Sequence, residues 1–168
     1  MSIQYWRKKD EQKAMQLGAI ASIVARHPLY AQYPASWLGA WIFNALEHQQ
    51  AYVHFRSGLP VGFMTWAFLQ EETLTRLIYS NYVLHWSEWS EGDYLWLVDF
   101  CMLEELPQSE LIELLCTVLT GNRVVYWRSS QATSQTIYRL HIANRQLATI
   151  DITRFVEFLG QPSYEKAS

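Results

Sequence analysis

The amino-acid sequence predicts a mixed α/β fold, in which a central mixed sheet carries helices packed on it. Three observations predict this class. Apolar residues recur at helical spacing in several segments, and strand-like segments rich in β-branched and aromatic residues lie between them. One segment, 94–103, is apolar on both faces except at Asp99, as expected of a central strand. The chain order is two helices, a hairpin, a helix, that strand, a helix and more strands, which indicates a mixed sheet.

Two helices are predicted at the N-terminal end. The first runs from about Asp10 to Ala25, where apolar residues lie at helical spacing. It ends at His27 and Pro28, because the residue before a proline is disfavoured in the helical conformation. The second helix starts near Pro34, since proline is tolerated in a first helical turn.

A hairpin and the central strand come next. Segments 51–55 and 61–69 are strand-like and are joined by a turn that contains glycine. Segment 71–84 is mostly helical in pattern, whereas 85–93 is polar, aromatic and glycine-containing, which predicts a loop. That loop leads into the central strand at 94–103.

The C-terminal part begins with an amphipathic helix. Pro107 opens this helix, and Gly121 stands where a C-terminal cap belongs. The remaining predicted elements are three strands and a closing helix, at 123–127, 137–142, 147–152 and 154–159.

The composition fits one domain over residues 1–168, with about 161–168 as a flexible tail. The net charge is −3 and the basic residues are scattered, so the sequence predicts no nucleic-acid partner. Neither a signal peptide nor a membrane span is indicated, and Cys101 and Cys116 have no disulfide or metal-ligand spacing. A cytoplasmic protein without a metal is therefore expected.

Aromatic residues make up 15% of the chain, with eight Trp and ten Tyr. Two interpretations stay open. Some of these side chains line a groove or face a protein partner, or all of them pack in an aromatic core. A homodimer and a heteromer with a maturation partner are equally compatible with the first interpretation.

Asp99 is the first candidate for chemistry. In a strand it shares one apolar face with Leu97 and Cys101, so we expect it to be buried. A buried carboxylate must be paired, hydrogen-bonded or neutralised. Either a helix N-terminus or an arginine satisfies it structurally, or it orients a histidine or handles a proton itself.

His27 and Cys101 are further candidates. His27 lies at a helix-to-loop junction, where a general base is often placed, but a lone histidine is more often structural. Cys101 is either an acyl-accepting nucleophile or a space-filling core residue. No glycine lies in the turn 103–110, so the sequence offers no cradle there for a coenzyme A diphosphate.

Residues 89–100 resemble the most characteristic stretch of the RTX toxin-activating (haemolysin C type) lysine acyltransferases. That family has a Trp, a Gly-Asp pair, a Trp and an Asp at the spacings of Trp89, Gly92-Asp93, Trp96 and Asp99. Upstream, the segment around Thr65-Trp66-Ala67 is similar to the family's second hairpin strand, and Pro28-Leu29 and Pro34 fall in register. The resemblance covers about residues 14–105.

This resemblance implies a fold similar to the GNAT acetyltransferases and transfer of a fatty acyl group from acyl carrier protein to a protoxin lysine, with no tightly bound cofactor. It implies that Asp99 is one member of a catalytic His–Asp pair. The substrate-binding candidates it suggests are Trp66, Trp89, Gly92, Asp93 and Trp96.

The histidine of that pair is displaced. The family's position shortly after Pro28-Leu29 holds Tyr30, and His27 lies three residues earlier, where the family often has a serine. Residues three apart on a helical or turn-like path face the same way, so His27 is expected to take the proton while Asp99 orients it. Tyr30 is then a candidate for polarising a carbonyl.

Three functions compete. The first is acyl-carrier-dependent acylation of a protoxin. The second is a repurposed relative that, with a partner protein, attaches a siderophore to the C-terminus of a microcin precursor, in bacteriocin maturation. The third is a non-catalytic subunit that binds a peptide. Loss of the usual histidine favours the third, and retention of Asp99 argues against it.

Overall fold

A computed structural model describes residues 8–128 and 135–161 of the chain. The helices of this part are α1 Lys8–Arg26, α2 Phe43–Glu47, α3 Glu71–Tyr79, α4 Gln108–Val118 and α5 Ile152–Leu159. Short 3-10 turns lie at Tyr30–Gln32 and Trp86–Trp89, and a π-helical turn lies at Leu38–Ile42. The strands are β1 Ala51–Arg56, β2 Leu59–Leu69, β3 Tyr94–Met102, β4 Val124–Arg128, β5 Thr136–His141 and β6 Gln146–Asp151.

The six strands are arranged in the order β1-β2-β3-β4-β5-β6. β1 and β2 are antiparallel, β3 and β4 are parallel, and β4–β6 form an antiparallel meander. The sheet is therefore mixed, with helices between its strands along the chain. This confirms the α/β class predicted from the sequence.

The described chain divides into two compact units. One contains residues 8–66 and Asp99–Glu105, and the other contains Ala67–Val98, 106–128 and 135–161. The single domain predicted for 1–168 stays a prediction. The C-terminal tail predicted from 161 lies outside the described residues from position 162 onward.

In the first unit, α1 packs its apolar stripe on the β1–β2 hairpin. Acidic residues in its first turn and Arg26 in its last turn complement the helix dipole. The hairpin turn is Ser57-Gly58, with φ of 51° and 78°, the left-handed geometry of a tight two-residue turn. The core that helix and hairpin share with the π-helical turn, α2 and β3 consists of Ile20, Ile23, Val24, Ile42, Leu46, Val53, Phe63 and Cys101.

The second helix predicted from Pro34 is not a regular α-helix. Residues 36 and 37 are α-helical, residues 38–42 form a wider π-helical turn, and the five α-helical residues of α2 follow it. Trp37 and Leu38 pack against the core of the first unit, and Ile42 is fully buried in it. Such turns are uncommon and often accompany functional sites.

In the second unit, α5 covers one face of the β4–β6 meander. Asp151 caps this helix, since its side chain accepts a hydrogen bond from the N–H of Thr153 at 2.9 Å. Phe155 is fully buried and packs on Tyr126, with ring centroids 5.0 Å apart. The buried apolar residues of α5 therefore anchor the C-terminal part of the chain.

The helix predicted over 71–84 is too long, because α3 ends at Tyr79. Beyond it, the Tyr82 hydroxyl donates to the Glu88 carboxylate at 2.8 Å, and the same carboxylate accepts the N–H of His85 at 2.7 Å. These contacts attach the residues after α3 to the 3-10 turn Trp86–Trp89, so they do not continue the helix. Within the described residues, no helix combines the length and apolar character needed to span a bilayer.

Candidate active site

Asp99 lies on β3 and is half-buried. Its Oδ1 accepts a hydrogen bond from the Tyr30 hydroxyl at 3.1 Å, and its Oδ2 accepts one from the Thr65 hydroxyl at 3.4 Å. Both carboxylate oxygens are thus held by hydroxyl donors from other elements of the same unit. Each oxygen keeps lone-pair capacity for a further proton or donor.

Burial raises the pKa of Asp99 to about 6, while the hydrogen bonds from Tyr30 and Thr65 act in the opposite direction. Desolvation disfavours the charged carboxylate, and the two hydroxyl donors stabilise it. A carboxyl group with a pKa of about 6 is ionised at neutral pH and yet far more basic than an exposed aspartate. It is therefore suited to accept and return a proton.

Tyr30 stands in the 3-10 turn after α1 and donates its hydroxyl proton to Asp99. Its ring makes edge-on contacts with Tyr33 and Trp37, each with centroids 5.5 Å apart, and with Phe63 at 5.9 Å. Burial and the neighbouring carboxylate raise the pKa of Tyr30 far above its ordinary value. The phenol therefore stays protonated and acts as a hydrogen-bond donor rather than as a nucleophile.

His27 lies beside Tyr30, and its hydrogen bonds are made with the backbone of residues 29 and 30 rather than with Asp99. Its Nδ1 accepts the backbone N–H of Leu29 at 3.2 Å and that of Tyr30 at 3.4 Å. The Asp99 partners among the described residues are Tyr30 and Thr65. The expectation that Asp99 orients His27 stays a prediction, and the observed hydrogen bonds give His27 a different contact.

Thr65 is a site residue that sequence reasoning missed. It lies on β2 opposite Ala51 of β1 and is fully buried. A buried hydroxyl needs a partner, and Asp99 supplies it. The resemblance included the Thr65-Trp66-Ala67 segment, but it suggested only Trp66 as a candidate site residue.

Cys101 lies two residues beyond Asp99 on β3 and is only 1% exposed. Burial and the nearby Asp99 raise the pKa of its thiol to about 12. The reactive thiolate is therefore scarce at neutral pH. Of the two interpretations of Cys101, the structure favours the core residue.

The five substrate-binding candidates occupy different environments. In the first unit, Trp66 is half-buried on β2. In the second unit, Trp89 is fully buried, Trp96 is 5% exposed and packs near Phe155, and Asp93 is exposed. Trp89 and Trp96 therefore act in the interior of the second unit, and their assignment to substrate binding stays a prediction.

Gly92 has a packing reason to be glycine. A Cβ atom there would lie 2.0 Å from the backbone C and O of Leu69 and 2.2 Å from the N of Gln70. The Gly92 N–H donates to the Phe68 carbonyl at 2.9 Å, and Phe68 and Ser90 form a parallel bridge. Gly92, the first residue of the Gly-Asp pair, thus packs closely against the end of β2.

Among the described residues, no group of three or more His, Cys, Asp or Glu side chains is arranged to hold a metal ion. The groups that the structure brings together around Asp99 are its carboxylate, the Tyr30 and Thr65 hydroxyls and the aromatic rings around Tyr30.

Comparison with known proteins places the chain in a family. Residues 9–144 match the HlyC family model, described as the RTX toxin acyltransferase family. The chain is 31% identical over 88 residues to the protein-lysine myristoyltransferase RtxC of Kingella kingae, a stretch that covers 52% of this chain and 53% of that protein.

Two further relatives match a stretch of similar length. The RTX-I toxin-activating lysine-acyltransferase ApxIC of Actinobacillus pleuropneumoniae is 31% identical over 84 residues, 50% of this chain and 49% of its own. The leukotoxin-activating lysine-acyltransferase LtxC of Aggregatibacter actinomycetemcomitans is 29% identical over 84 residues, 50% of each chain. The chain thus spans about half the length of the relatives it matches. Because the family match extends over most of its residues, the chain belongs to the RTX toxin acyltransferase family.

Proposed function

We propose that this chain is a toxin- or bacteriocin-maturing acyltransferase, which transfers an acyl group to a lysine side chain of a protein precursor. The observation that carries the proposal is the half-buried Asp99 carboxylate held by the Tyr30 and Thr65 hydroxyls. Membership of the RTX toxin acyltransferase family supports the reaction class. The relatives, which are named as a protein-lysine myristoyltransferase and a lysine-acyltransferase, support lysine as the acceptor.

In the proposed reaction, a neutral lysine amine attacks the carbonyl carbon of an acyl thioester. A C–N bond forms and the C–S bond breaks, so the products are an amide and a free thiol. The amine gives up one proton, and the departing thiolate takes one. Asp99 is the group that accepts the first proton and returns it to the thiolate, because its pKa of about 6 allows both steps near neutral pH.

Tyr30 and Thr65 have a supporting role in this scheme. Each donates to one carboxylate oxygen, so the carboxylate is held in one orientation before the substrate arrives. Tyr30 and Tyr33 also belong to an aromatic cluster with Trp37 beside the carboxylate. Such apolar rings reduce access of water and strengthen the electrostatics of the site.

The donor we propose is an acyl-acyl carrier protein. The turn after β3 contains no glycine, and its Glu104 and Glu105 side chains are exposed. Glu104 is paired with Arg56, and the exposed Glu105 leaves a negative charge at that turn, whereas a glycine-rich turn would offer backbone N–H groups to a diphosphate. These residues are more compatible with a donor that is recognised through its carrier protein than with one bound through a coenzyme diphosphate.

A second candidate is favoured by Tyr30, which stands at the position of the family's histidine. In it the chain works with a partner protein and attaches a siderophore to the C-terminus of a microcin precursor. The same carboxylate would accept the proton of the attacking siderophore group. The two candidates differ in the mass of the group added and in the position of its attachment.

Mass spectrometry of a co-expressed candidate precursor, an RTX protoxin or a microcin precursor, tests both candidates. The precursor is co-expressed with the wild type, with Asp99→Asn, and with Glu105→Gln as a matched exposed carboxylate in the same unit. We expect a lysine carrying a fatty acyl group with the wild type and Glu105→Gln, and a rate at least about a hundredfold lower with Asp99→Asn. A siderophore at the C-terminus selects the second candidate.

An unmodified precursor in every co-expression would leave only a peptide-binding role. Equal yields with the wild type and Asp99→Asn would show that the carboxylate takes no part in the transfer. Since Asn keeps an oxygen that accepts from Tyr30, the variant changes the proton acceptor with little change in packing.

A further inference from the structure

The imidazole of His27 closes the turn that carries Tyr30. Nδ1 of His27 accepts the N–H of Leu29 at 3.2 Å and the N–H of Tyr30 at 3.4 Å. These are donors at the start of the 3-10 turn Tyr30–Gln32, and Leu29, which precedes that turn, has no side-chain cap of its own. Exposed backbone donors at a helical start need such an acceptor.

The contact has the geometry of an asparagine cap. Nδ1 is bonded to Cγ, as the Oδ1 of asparagine is, so both atoms reach the N–H groups two and three residues ahead. The backbone of the turn is closed on the same residue, because Ala31 N–H donates to the His27 carbonyl at 2.9 Å. His27 thus holds three consecutive N–H groups, those of residues 29 to 31.

The ring of His27 also touches the ring of Tyr30. The two rings meet edge-on, with centroids 5.1 Å apart and planes at 86°. Backbone and side chain of Tyr30 are therefore both in contact with one imidazole. The far end of the same Tyr30 side chain places its hydroxyl 3.1 Å from Asp99.

The two hydrogen bonds also set the tautomer of His27. An Nδ1 that accepts N–H donors carries no proton, so in the neutral ring the proton is on Nε2. The lone pair of Nδ1 is engaged with the backbone, and Nε2 is a donor. In this arrangement His27 has no free acceptor for a substrate proton.

We propose that His27 is a positioning residue, which caps the 29–31 turn and thereby holds the Tyr30 hydroxyl on the Asp99 carboxylate. This inference rests on the proposed function for its effect on rate. Its structural part, the dependence of the Tyr30–Asp99 hydrogen bond on His27, stands independently of that function.

Three variants separate a cap from a general base. His27→Ala removes the acceptor, and His27→Asn restores an acceptor at the same reach while removing every basic nitrogen. His85→Ala is the matched control, because His85 Nδ1 accepts the Ser87 N–H at 3.4 Å in the turn Trp86–Trp89 of the other unit. None of the His85 hydrogen bonds involves Tyr30 or Asp99.

The first readout is the titration of the Asp99 carboxyl carbon, followed by NMR in isotopically labelled protein. The Tyr30 hydrogen bond lowers the pKa of Asp99, so its loss raises that pKa above about 6. We expect the rise in His27→Ala, with Tyr30→Phe as the reference for complete loss of the bond. His27→Asn and His85→Ala are expected to titrate as the wild type does.

The second readout is the acylation rate. We expect a loss of about fivefold to tenfold in His27→Ala, as for a removed cap, and recovery of most of it in His27→Asn. An inactive His27→Asn with an unchanged Asp99 titration would identify His27 as the base and overturn the proposal. An unchanged titration in His27→Ala would overturn it as well.

The two readouts fail separately. If the wild type acylates no precursor, the proposed function fails, but the NMR titration still decides whether His27 holds Tyr30 on Asp99. If the titration moves as expected and the rate does not, the cap exists and the Tyr30 hydroxyl has no part in the transfer.

Discussion

The Tyr30 hydroxyl donates a hydrogen bond to Oδ1 of Asp99 across 69 positions of the sequence. The pair joins the turn after α1 to the strand β3, and Thr65 of β2 holds the other carboxylate oxygen. Because the phenol stays protonated, the carboxylate is the member of the pair that can accept a proton near neutral pH. A carboxylate of this basicity is suited to the acid–base role that an imidazole commonly fills at neutral pH, and the proposed function assigns that role to Asp99.

The first prediction concerns the stability of Asp99→Asn as a function of pH. The pKa of Asp99 is raised from 3.8 to about 6 in the folded state, so between these values the folded state binds more protons than the unfolded state. The free energy of unfolding of the wild type therefore falls as pH rises from about 4 to about 6, by up to about 3 kcal/mol from this group.

Asp99→Asn has no such titration. We expect its free energy of unfolding, measured by urea denaturation, to exceed that of the wild type increasingly over this pH window, with a constant difference above it. Glu105→Gln, which changes an exposed carboxylate, should track the wild type. Parallel curves for the wild type and Asp99→Asn would mean that burial does not penalise the carboxylate.

The second prediction concerns Tyr30→Phe. Removing the hydroxyl removes a hydrogen bond that lowers the pKa of Asp99, so that pKa rises. The acid limb of the kcat/KM profile is expected to move to higher pH, with a larger loss of activity at pH 6 than at pH 8. The control is Tyr33→Phe, which changes a neighbouring exposed ring in contact with Tyr30. If the acid limb of Tyr30→Phe lies at the same pH as that of the wild type, the limb does not report the titration of Asp99.

The positions of Asp99 and of the secondary structure elements could largely be predicted from sequence, because strand and helix periods are local. Asp99 interrupts an apolar segment, and β3 is the strand predicted there. The partner of Asp99 could not be predicted in this way. Tyr30 and Thr65 are brought to it by long-range packing, which leaves no local pattern.

Two further features could not be predicted, because the sequence patterns report only local structure. The regular spacing after Pro34 predicts an α-helix, and it does not show the π-helical turn at Leu38–Ile42, where Leu38 packs on the core. The spacing of Trp89, Gly92 and Trp96 identifies the family, but it does not distinguish a residue that binds substrate from one that packs. Burial and a clash distance show that these three residues pack within the second unit, and their substrate binding stays a prediction.

The third prediction concerns Cys101→Ala. The thiol is buried and its pKa is raised to about 12, so no acyl-enzyme is expected on it. We expect Cys101→Ala to lose about 1 kcal/mol of stability from its core position and to keep kcat within about twofold. Single-turnover mass spectrometry of the wild type should detect no acylated Cys101. An acyl adduct there, lost in Cys101→Ala together with activity, would make the cysteine the nucleophile.

The fourth prediction separates packing from substrate binding at Gly92. Gly92→Ala places a methyl group 2.0 Å from the backbone of Leu69, which cannot move without disturbing the end of β2. We expect the free energy of unfolding to fall by at least about 3 kcal/mol. Gly18→Ala is the matched control, since a Cβ at Gly18 meets nothing within 4 Å. In the interior of α1 it should stabilise by about 0.5–1 kcal/mol.

Urea denaturation of both glycine variants measures these changes, and acylation of the precursor is measured at several temperatures across the unfolding transition of each variant. If Gly92 only packs, any activity lost in Gly92→Ala should follow the folded fraction. If Gly92→Ala keeps the stability of the wild type and fails to bind the precursor, the packing interpretation is wrong. Gly92 would then contact the substrate, and its position against Leu69 would adjust more readily than a 2.0 Å overlap allows.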